Sequence, residues 1–334
     1  MAEGKVAVLG GGAWGTALAC VARRAGRSVS LWARDATVAD AVNSGRANPA
    51  YLPDVPLEPG IEATTDLAVA ARDAGVVLLV VPAQALRDVA AALAPSITAN
   101  TPVAICAKGI ERGTGRLMSE VLAEVCPNAA PAVLSGPTFA AEVARGLPAA
   151  VTLAAPDAAV RDAVIAAVGI PTFRPYTSDD IVGAQVGGAV KNVLAIAGGI
   201  VIGKGLGENA RAAMITRGLI ELIRYGKARG GARQTFMGLS GLGDLILTCS
   251  SMQSRNYSLG VAVGGGQGLE EVLAGRRSVT EGVATAAALE EERKNVRLDL
   301  PICSAVCRVL NESADIDATL QALLSRPLTD EFPG

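Results

Sequence analysis

The chain has 334 residues, which exceeds the roughly 250–300 residues at which a single hydrophobic core stops growing, so we expect two domains. Half of its residues are hydrophobic and 19% are charged, and its formal net charge of −2 argues against partners such as nucleic acid or an anionic membrane. The chain contains no histidine, which excludes zinc-dependent dehydrogenase chemistry and a histidine–aspartate proton relay.

Two further observations bear on the compartment. The sequence has no uncharged apolar run long enough to span a bilayer, and no basic region precedes the apolar residues at the N-terminus. Its six cysteines lie in apolar surroundings without a Cys-x-x-Cys pair, which predicts buried free thiols. We therefore expect a cytoplasmic protein without a membrane span.

A glycine fingerprint stands near the N-terminus, between a predicted strand at 6–9 and a predicted helix at 14–24. It is formed by Gly10, Gly12 and Gly15 in the spacing G-x-G-x-x-G. The first glycine allows the tight turn, the second lets the backbone approach a pyrophosphate, and the third lets the helix pack closely on the strand. The helix N-terminus would then face the phosphates with its partial positive charge. This context predicts a dinucleotide-binding loop.

From residue 5 to about residue 175, short apolar strands alternate with helices. The predicted strands lie at 6–9, 28–32, 76–81, 103–106, 132–134, 149–153 and 172–174, and the helices at 14–24, 36–44, 66–73, 83–93, 115–125, 139–145 and 157–168. This alternation favours an α/β fold with a doubly wound, Rossmann-type parallel sheet. Because ligands bind at the carboxyl ends of such strands, Gly10, Pro82, Lys108 and Gly136 should share one edge.

The residues that follow the second predicted strand bear on the choice of cofactor. Asp35 would bind ribose hydroxyls and favour NAD, whereas Arg34 would meet a 2′-phosphate and favour NADP. Both cofactors remain open, and the order of the two residues leads us to favour NADP.

After residue 178 the strand signals end and helical spacing takes over, for example at 211–229, 283–294 and 304–312. We predict a Rossmann domain over residues 1–178 and an all-helical domain over 179–334. Two polar or glycine-rich loops, at 237–244 and 250–256, are predicted to interrupt the helices. Loops held by a rigid scaffold commonly carry function.

Lys191 is the candidate proton donor. Hydride transfer to a carbonyl carbon leaves negative charge on the oxygen, which needs a donor or a cation. Histidine is absent, and none of the four tyrosines is followed four residues later by lysine. Lys191 lies in an apolar helical stretch, where desolvation would lower its pKa toward neutrality. The alternative is a surface lysine whose stem packs against the helix.

Three further residues and one short segment are candidates for the site. Lys108 follows a strand at the expected binding edge, although a solvated surface lysine is an equal alternative. Asp244 would need a partner such as Lys191, or would cap a helix. Arg255 suits a phosphate, and alone it would more often be an exposed charge. The segment 135–138, Ser-Gly-Pro-Thr, would present amides and a hydroxyl to an anion, or form an ordinary turn.

Together these motifs resemble the bacterial-type NAD(P)-dependent glycerol-3-phosphate dehydrogenases. The matching blocks run in order along nearly the whole chain, at 10–19, 107–109, 135–140, 187–192, 241–245, 253–256 and 281–282. The resemblance implies reduction of dihydroxyacetone phosphate to sn-glycerol 3-phosphate with NADP or NAD and no metal. It also implies a role in phospholipid synthesis, a helical C-terminal domain and a homodimer.

The resemblance further implies roles for individual residues. Lys191 becomes the proton donor to the carbonyl oxygen, and the acceptor in the reverse direction. The implied substrate-site residues are Lys108, Gly136, Thr138, Lys191, Asp244, Ser254, Arg255 and Asn256. Besides the fingerprint glycines, the implied cofactor contacts are Trp14, Arg34, Lys108, Ala140, Arg255, Val279 and Glu281. The chain has Ala13 where many relatives have serine, which removes a possible side-chain bond to the pyrophosphate and leaves the backbone amides.

Two other functions are alternatives to this family assignment. The β-hydroxyacid dehydrogenases also pair a Rossmann domain with a lysine-bearing helical domain, but they usually have asparagine four residues after the lysine. This chain has Ala195 there and Asn192 directly after the lysine. A dinucleotide-sensing regulator would keep the glycine loop but would not need Lys191, Asp244 and Arg255 together.

Overall fold

An eight-stranded sheet forms the N-terminal part of the computed structural model, which describes residues 4–276, 280–328 and 330–331. The strands are β1 (Lys5–Leu9), β2 (Ser28–Trp32), β3 (Ile61–Thr64), β4 (Ala74–Leu79), β5 (Thr101–Ile105), β6 (Ala129–Ser135), β7 (Ala149–Ala154) and β8 (Phe173–Ser178). Their order across the sheet is β3-β2-β1-β4-β5-β6-β7-β8. The first six strands in this order have the arrangement of a dinucleotide-binding fold.

Helices cover both faces of the sheet. They are α1 (Ala13–Arg24), α2 (Ala36–Gly45), α3 (Leu67–Ala71), α4 (Leu86–Leu93), α5 (Met118–Val125), α6 (Ala140–Ala144) and α7 (Ala158–Val168). Alternate residues of a strand point to opposite faces. Accordingly, Val6 and Val8 of β1 pack in one buried cluster with α1 and α7, while Ala7 and Leu9 pack in another with α4 and α5. The predicted α/β Rossmann-type fold is confirmed.

Two details of the predicted sheet were wrong. β7 pairs with β6 in antiparallel orientation, and β8 runs parallel to β7, so the last two strands run against the other six. The prediction also missed β3, an edge strand of four residues in which only Ile61 is buried. A strand this short and mostly exposed lacks the apolar run from which the other strands were predicted. Its Ala63 exchanges two hydrogen bonds with the Asn43 side chain, which covers part of the exposed edge.

The remainder of the described chain is helical, as predicted. The helices are α8 (Ile181–Gly203), α9 (Gly207–Ala228), α10 (Arg233–Phe236), α11 (Asp244–Thr248), α12 (Arg255–Gly264), α13 (Leu269–Ala274), α14 (Glu281–Val296), α15 (Pro301–Asn311) and α16 (Ile316–Leu324). Residues 179–180 join β8 to α8, where the sequence predicts the domain boundary. The division into two domains stays a prediction.

The long helix α8 is the centre of the helical part. In its length and composition it would suffice to cross a membrane, but 78% of its most apolar window is buried inside the protein. It packs against α12 so closely that a Cβ on Gly199 would overlap the carbonyl oxygen of Tyr257, and one on Gly260 would overlap that of Ile196. α8 is therefore a core helix in this structure.

Of the two predicted loops, the first is largely helical, whereas residues 250–254 of the second form turns and irregular structure, as predicted. Leu239–Gly243 forms a π-helical turn that leads directly into α11, and α12 begins at Arg255 with Ser254 as its N-cap. The glycines that suggested a loop instead permit tight packing, since a Cβ on Gly241 would overlap the carbonyl oxygen of Phe236. The correction places Asp244 and Arg255 each at the first position of a helix.

Candidate functional site

The site lies at the carboxyl edge of the parallel strands. Gly10, Pro82, Lys108 and Gly136 follow β1, β4, β5 and β6, which are neighbours in the sheet and run in the same direction. These four positions therefore share one edge, as predicted. Residues of α8, α11 and α14 reach this edge from the helical part through the contacts described below.

The glycine loop has the form that a pyrophosphate requires. Gly10 has φ +132°, and a Cβ there would come within 2.5 Å of the carbonyl oxygen of Val80. A Cβ on Gly15 would overlap the carbonyl oxygen of Gly10, so α1 packs closely on the turn. Gly12 is the N-cap of α1, with no side-chain cap and open space where its Cβ would be. The uncapped helix N-terminus and this open space fit a bound dinucleotide.

The end of β2 shows how the two candidate ribose residues are disposed. Asp35 is the N-cap of α2, and its Oδ1 accepts hydrogen bonds from the Thr37 amide at 2.9 Å and the Thr37 hydroxyl at 2.8 Å. These bonds lower the pKa of Asp35 and tie its carboxylate to the helix. Arg34 beside it is exposed.

Other predicted cofactor contacts lie around the same edge. Trp14 is half-buried, with its ring 6.3 Å from that of Phe173, and its Nε1 is buried without a partner among the described residues. Ala140 begins α6. Glu281 begins α14, and its Oε1 accepts a hydrogen bond from the Ala83 amide at 3.0 Å. Val279 lies outside the described residues.

Asp244 joins two lysines from different parts of the fold. Its Oδ1 lies 3.0 Å from Lys191 Nζ, and its Oδ2 lies 2.6 Å from Lys108 Nζ. Lys108 also donates to the Gly136 carbonyl at 3.0 Å, and Lys191 donates to the Thr248 hydroxyl at 2.7 Å. The predicted pairing of Lys191 with Asp244 is confirmed. With all three side chains ionised, the group carries one net positive charge.

Burial and neighbouring charges set the pKa values of this group. Burial lowers the pKa of Lys191 to about 8, against the opposing effect of Asp244 and with the help of repulsion from Lys108. Burial alone would raise the pKa of Asp244, but the two lysines outweigh it and hold that pKa below its usual value. Asp244, 1% exposed, is therefore a carboxylate, while Lys191 can gain or lose a proton near neutral pH.

A chain of amide groups continues from Lys108 into the helical part. Asn192 donates to the Lys108 carbonyl at 3.0 Å, and Asn256 donates to Asn192 Oδ1 at 2.9 Å. Asn256 Oδ1 in turn accepts from the Gly282 amide at 3.0 Å. The predicted substrate residue Asn256 is therefore buried within this chain of hydrogen bonds, which fixes α8, α12 and α14 relative to the loop of Lys108.

The remaining predicted substrate residues are less tightly gathered. Ser254 caps α12 by accepting from the Tyr257 amide, and the Thr138 hydroxyl donates to the Gly136 carbonyl at 3.3 Å. Arg255 is exposed, and within the described ranges its guanidinium makes no hydrogen bond or ion pair. It is thus available to an anion, although the structure does not bring it into the contacts around Asp244.

Sequence reasoning missed Thr248. Its hydroxyl accepts from Lys191 and donates to Asp244 Oδ1 at 3.2 Å. The available signal was its spacing, because residues four apart on a helix share a face and Asp244 lies four residues before it. The predicted loop ended at Asp244, and no helix was predicted over residues 245–248, so this relation was not used. For metals, the residues that the structure describes contain no group of three His, Cys, Asp or Glu side chains suited to hold an ion.

The comparisons with known proteins agree with this geometry. Residues 5–161 match the family model of the NAD-dependent glycerol-3-phosphate dehydrogenase N-terminus, and residues 180–321 match that of the C-terminus. The chain is 57% identical over 326 residues to a glycerol-3-phosphate dehydrogenase (NAD(P)+) of Rhodospirillum rubrum, covering 98% of this chain and 93% of the relative. It is 55% identical over 331 residues to that of Parvibaculum lavamentivorans, covering 99% of each.

Solved structures give the same result. The crystal structure of glycerol-3-phosphate dehydrogenase from Coxiella burnetii has a TM-score of 0.93 and 38% identity, covering 97% of this chain and 99% of that one. A glycerol-3-phosphate dehydrogenase structure from Saccharomyces cerevisiae has a TM-score of 0.82 and 25% identity, covering 95% and 98%. With both family models and these relatives spanning nearly its full length, the chain belongs to the family of NAD(P)-dependent glycerol-3-phosphate dehydrogenases.

Proposed function

We propose that this protein reduces dihydroxyacetone phosphate to sn-glycerol 3-phosphate, reversibly, with NADPH or NADH. The observation that carries the proposal is the contact of Lys191 and Lys108 with the two oxygens of Asp244, at the sheet edge that also bears the glycine loop. Such a group offers a proton and a positive field to a ketone that becomes an alkoxide.

Lys191 holds the proton that the substrate oxygen must receive. The reduced nicotinamide, when bound, supplies the hydride for the carbonyl carbon. Lys191 Nζ is oriented by Asp244 and Thr248, and with a pKa of about 8 it is largely protonated at neutral pH yet gives up its proton readily. In glycerol 3-phosphate oxidation the neutral amine takes the proton back. Lys108 provides a second cation that favours negative charge on the same oxygen.

The phosphate of the substrate is assigned to the start of α12. Arg255 is exposed at the first position of this helix, where a guanidinium and the positive end of the helix dipole favour an oxyanion. Ser254, Asn256, Gly136 and Thr138 are proposed to complete the substrate site. The excess positive charge of the lysine–aspartate group adds to this attraction.

The direct test uses the purified protein. We expect oxidation of NADPH with dihydroxyacetone phosphate and none with a panel of 2- and 3-keto carboxylates. Lys191→Ala should abolish turnover while NADPH still binds. Activity on carboxylates alone would contradict the proposed substrate, and near-normal turnover of Lys191→Ala would contradict the proton-donor role.

We also propose a preference for NADP over NAD. Asp35 is occupied as the N-cap of α2, whereas the Arg34 guanidinium is exposed beside the expected ribose position. Arg34→Ala should raise KM for NADPH about tenfold, the worth of one charge-assisted hydrogen bond, and change KM for NADH less than twofold. An equal change for both cofactors would assign Arg34 no part in the choice.

We propose a cytoplasmic homodimer whose product is the backbone precursor of phospholipids. Light scattering coupled to size-exclusion chromatography would report the mass directly, and a value near the 33.7 kDa of a single chain would contradict the dimer.

A further inference from the structure

The side chain of Asn48 lies directly behind the glycine loop. It is fully buried, and its Nδ2 donates hydrogen bonds to the Gly11 carbonyl at 2.9 Å and to the Thr16 hydroxyl of α1 at 2.8 Å. No motif in the sequence marks this residue, because it lies more than 30 residues beyond the loop, between α2 and β3. Its amide is nevertheless the side-chain group that holds the middle of the loop.

The contact determines which way the peptide between Gly11 and Gly12 faces. In a trans peptide the C=O and the following N–H point in opposite directions. Because the Gly11 carbonyl is held toward Asn48, the Gly12 N–H is directed away from it. This N–H makes no hydrogen bond to the described part of the chain, so it is available to a phosphate.

Three consecutive glycines would not hold this orientation by themselves. Glycine populates positive and negative φ about equally, so a peptide flanked by Gly11 and Gly12 can flip at little cost. A flip would turn a carbonyl oxygen toward an anion in place of an amide. We propose that Asn48 is a positioning residue for the dinucleotide: it fixes the Gly11–Gly12 peptide with the N–H toward the pyrophosphate. This inference rests on the proposed cofactor site.

Asn48 is itself held firmly enough for this task. Its carbonyl accepts hydrogen bonds from the amides of Tyr51 and Leu52, at 3.2 and 2.7 Å. Leu52, Val55 and Leu57 then anchor the segment in the same buried cluster that contains the inner face of α1. The position of Asn48 relative to the loop is thus fixed by packing on both sides.

The contact requires a hydrogen-bond donor. The Gly11 carbonyl is purely an acceptor, so only the NH₂ of Asn48 can face it. The Oδ1 that remains is buried without a partner among residues 4–276, 280–328 and 330–331. An unpaired buried acceptor makes no favourable contribution to stability. The contribution of Asn48 therefore lies in its Nδ2 contacts.

The test compares ligand binding with catalysis and stability. Asn48→Ala should weaken binding of NADPH and of ADP-ribose about tenfold, as expected for one hydrogen bond lost indirectly. At saturating NADPH, its KM for dihydroxyacetone phosphate should stay within twofold. Asn48→Ser keeps one hydrogen-bond donor on a side chain that is one bond shorter, so its affinity for ADP-ribose should lie between those of wild type and Asn48→Ala. If Asn48→Ala does not fold, Asn48→Ser takes its place in the test.

Thr101→Val is the matched control. Thr101 is the first residue of β5 and therefore lies at the amino ends of the parallel strands, opposite the glycine loop. It is buried, and its hydroxyl donates to the Thr98 carbonyl at 2.8 Å. It should lower Tm while leaving the Kd of ADP-ribose unchanged. Unchanged ADP-ribose affinity in a folded Asn48 variant, or an equal loss in Thr101→Val, would overturn the role of Asn48. Failure of the wild type to bind either ADP-ribose or NADPH would instead contradict the cofactor site.

Discussion

At the scale of single residues, Asp244 joins the two lysines of the candidate site. Each of its two oxygens contacts a different lysine, so the carboxylate lies between the two ammonium groups. Burial pushes the pKa of Lys191 down, and Asp244 pushes it up. The value of about 8 is therefore a balance between desolvation and one ion pair, and changing the partner should shift it.

The first prediction concerns this balance. Reduction needs protonated Lys191, so its kcat/KM should decline as pH rises through about 8, whereas glycerol 3-phosphate oxidation should rise over the same range. In Asp244→Asn the attraction is lost while burial and Lys108 still act, so the inflection should move to lower pH by about one unit or more. Asp317→Asn, which alters an exposed partner of Lys204, should leave the profile unchanged. An inflection that stays near 8 in Asp244→Asn would show that Lys191 does not produce it.

At the scale of secondary-structure elements, prediction succeeded where one local pattern determines the structure. β1, the glycine loop and α1 follow from apolar residues and glycine spacing alone. The direction of β7 does not, because strand polarity depends on how the chain returns around Phe139–Arg145 and on pairing with β6. The π-helical turn before Asp244 escaped prediction because its glycines are required by contact with Phe236, which is a tertiary constraint.

The same reasoning gives a prediction for Gly187 in α8. Alanine favours a helix over glycine by about 1 kcal/mol, yet a Cβ at Gly187 would overlap the carbonyl oxygen of Ser240. The cost of the overlap should exceed the gain in helix propensity, because backbone atoms cannot move aside as a flexible side chain can. Gly187→Ala should therefore destabilise the protein by roughly 1–3 kcal/mol, as overpacking does, in a denaturant titration.

A kinetic effect should accompany this loss of stability. Gly187 lies one turn before Lys191, and Ser240 lies in the turn that leads to Asp244, so relief of the overlap would separate the two charged groups. We expect lower kcat in Gly187→Ala. Gly45→Ala, in α2 with open space around its Cβ, should be neutral or slightly stabilising and should keep full activity. Equal effects of the two substitutions would contradict the packing argument.

At the scale of the whole molecule, Arg229 connects the sheet to the helical part. It ends α9 and donates to the Gly115 carbonyl at 3.0 Å and to both carboxylate oxygens of Glu120 in α5, at 3.0 and 2.9 Å. It also pairs with Glu292 of α14, which accepts from the buried Tyr225 hydroxyl. Gly115 belongs to the loop 106–117 between β5 and α5, which also carries Lys108, so this ion-pair cluster braces the far end of that loop.

Removing Arg229 should cost far more than removing a surface arginine. In Arg229→Met the stem is kept, but Glu292 loses its cation while it remains only 15% exposed. Breaking this partly buried pair should cost roughly 2–3 kcal/mol, so Tm should fall by roughly 3–4 °C in a thermal scan. The double variant Arg229→Met/Glu292→Gln should recover part of this loss, because the unpaired charge is gone. Arg326→Ala breaks an exposed pair with Asp299 and should cost less than about 1 kcal/mol. A Tm of Arg229→Met within about 1 °C of wild type would mean that this ion-pair cluster contributes little to the stability of the protein.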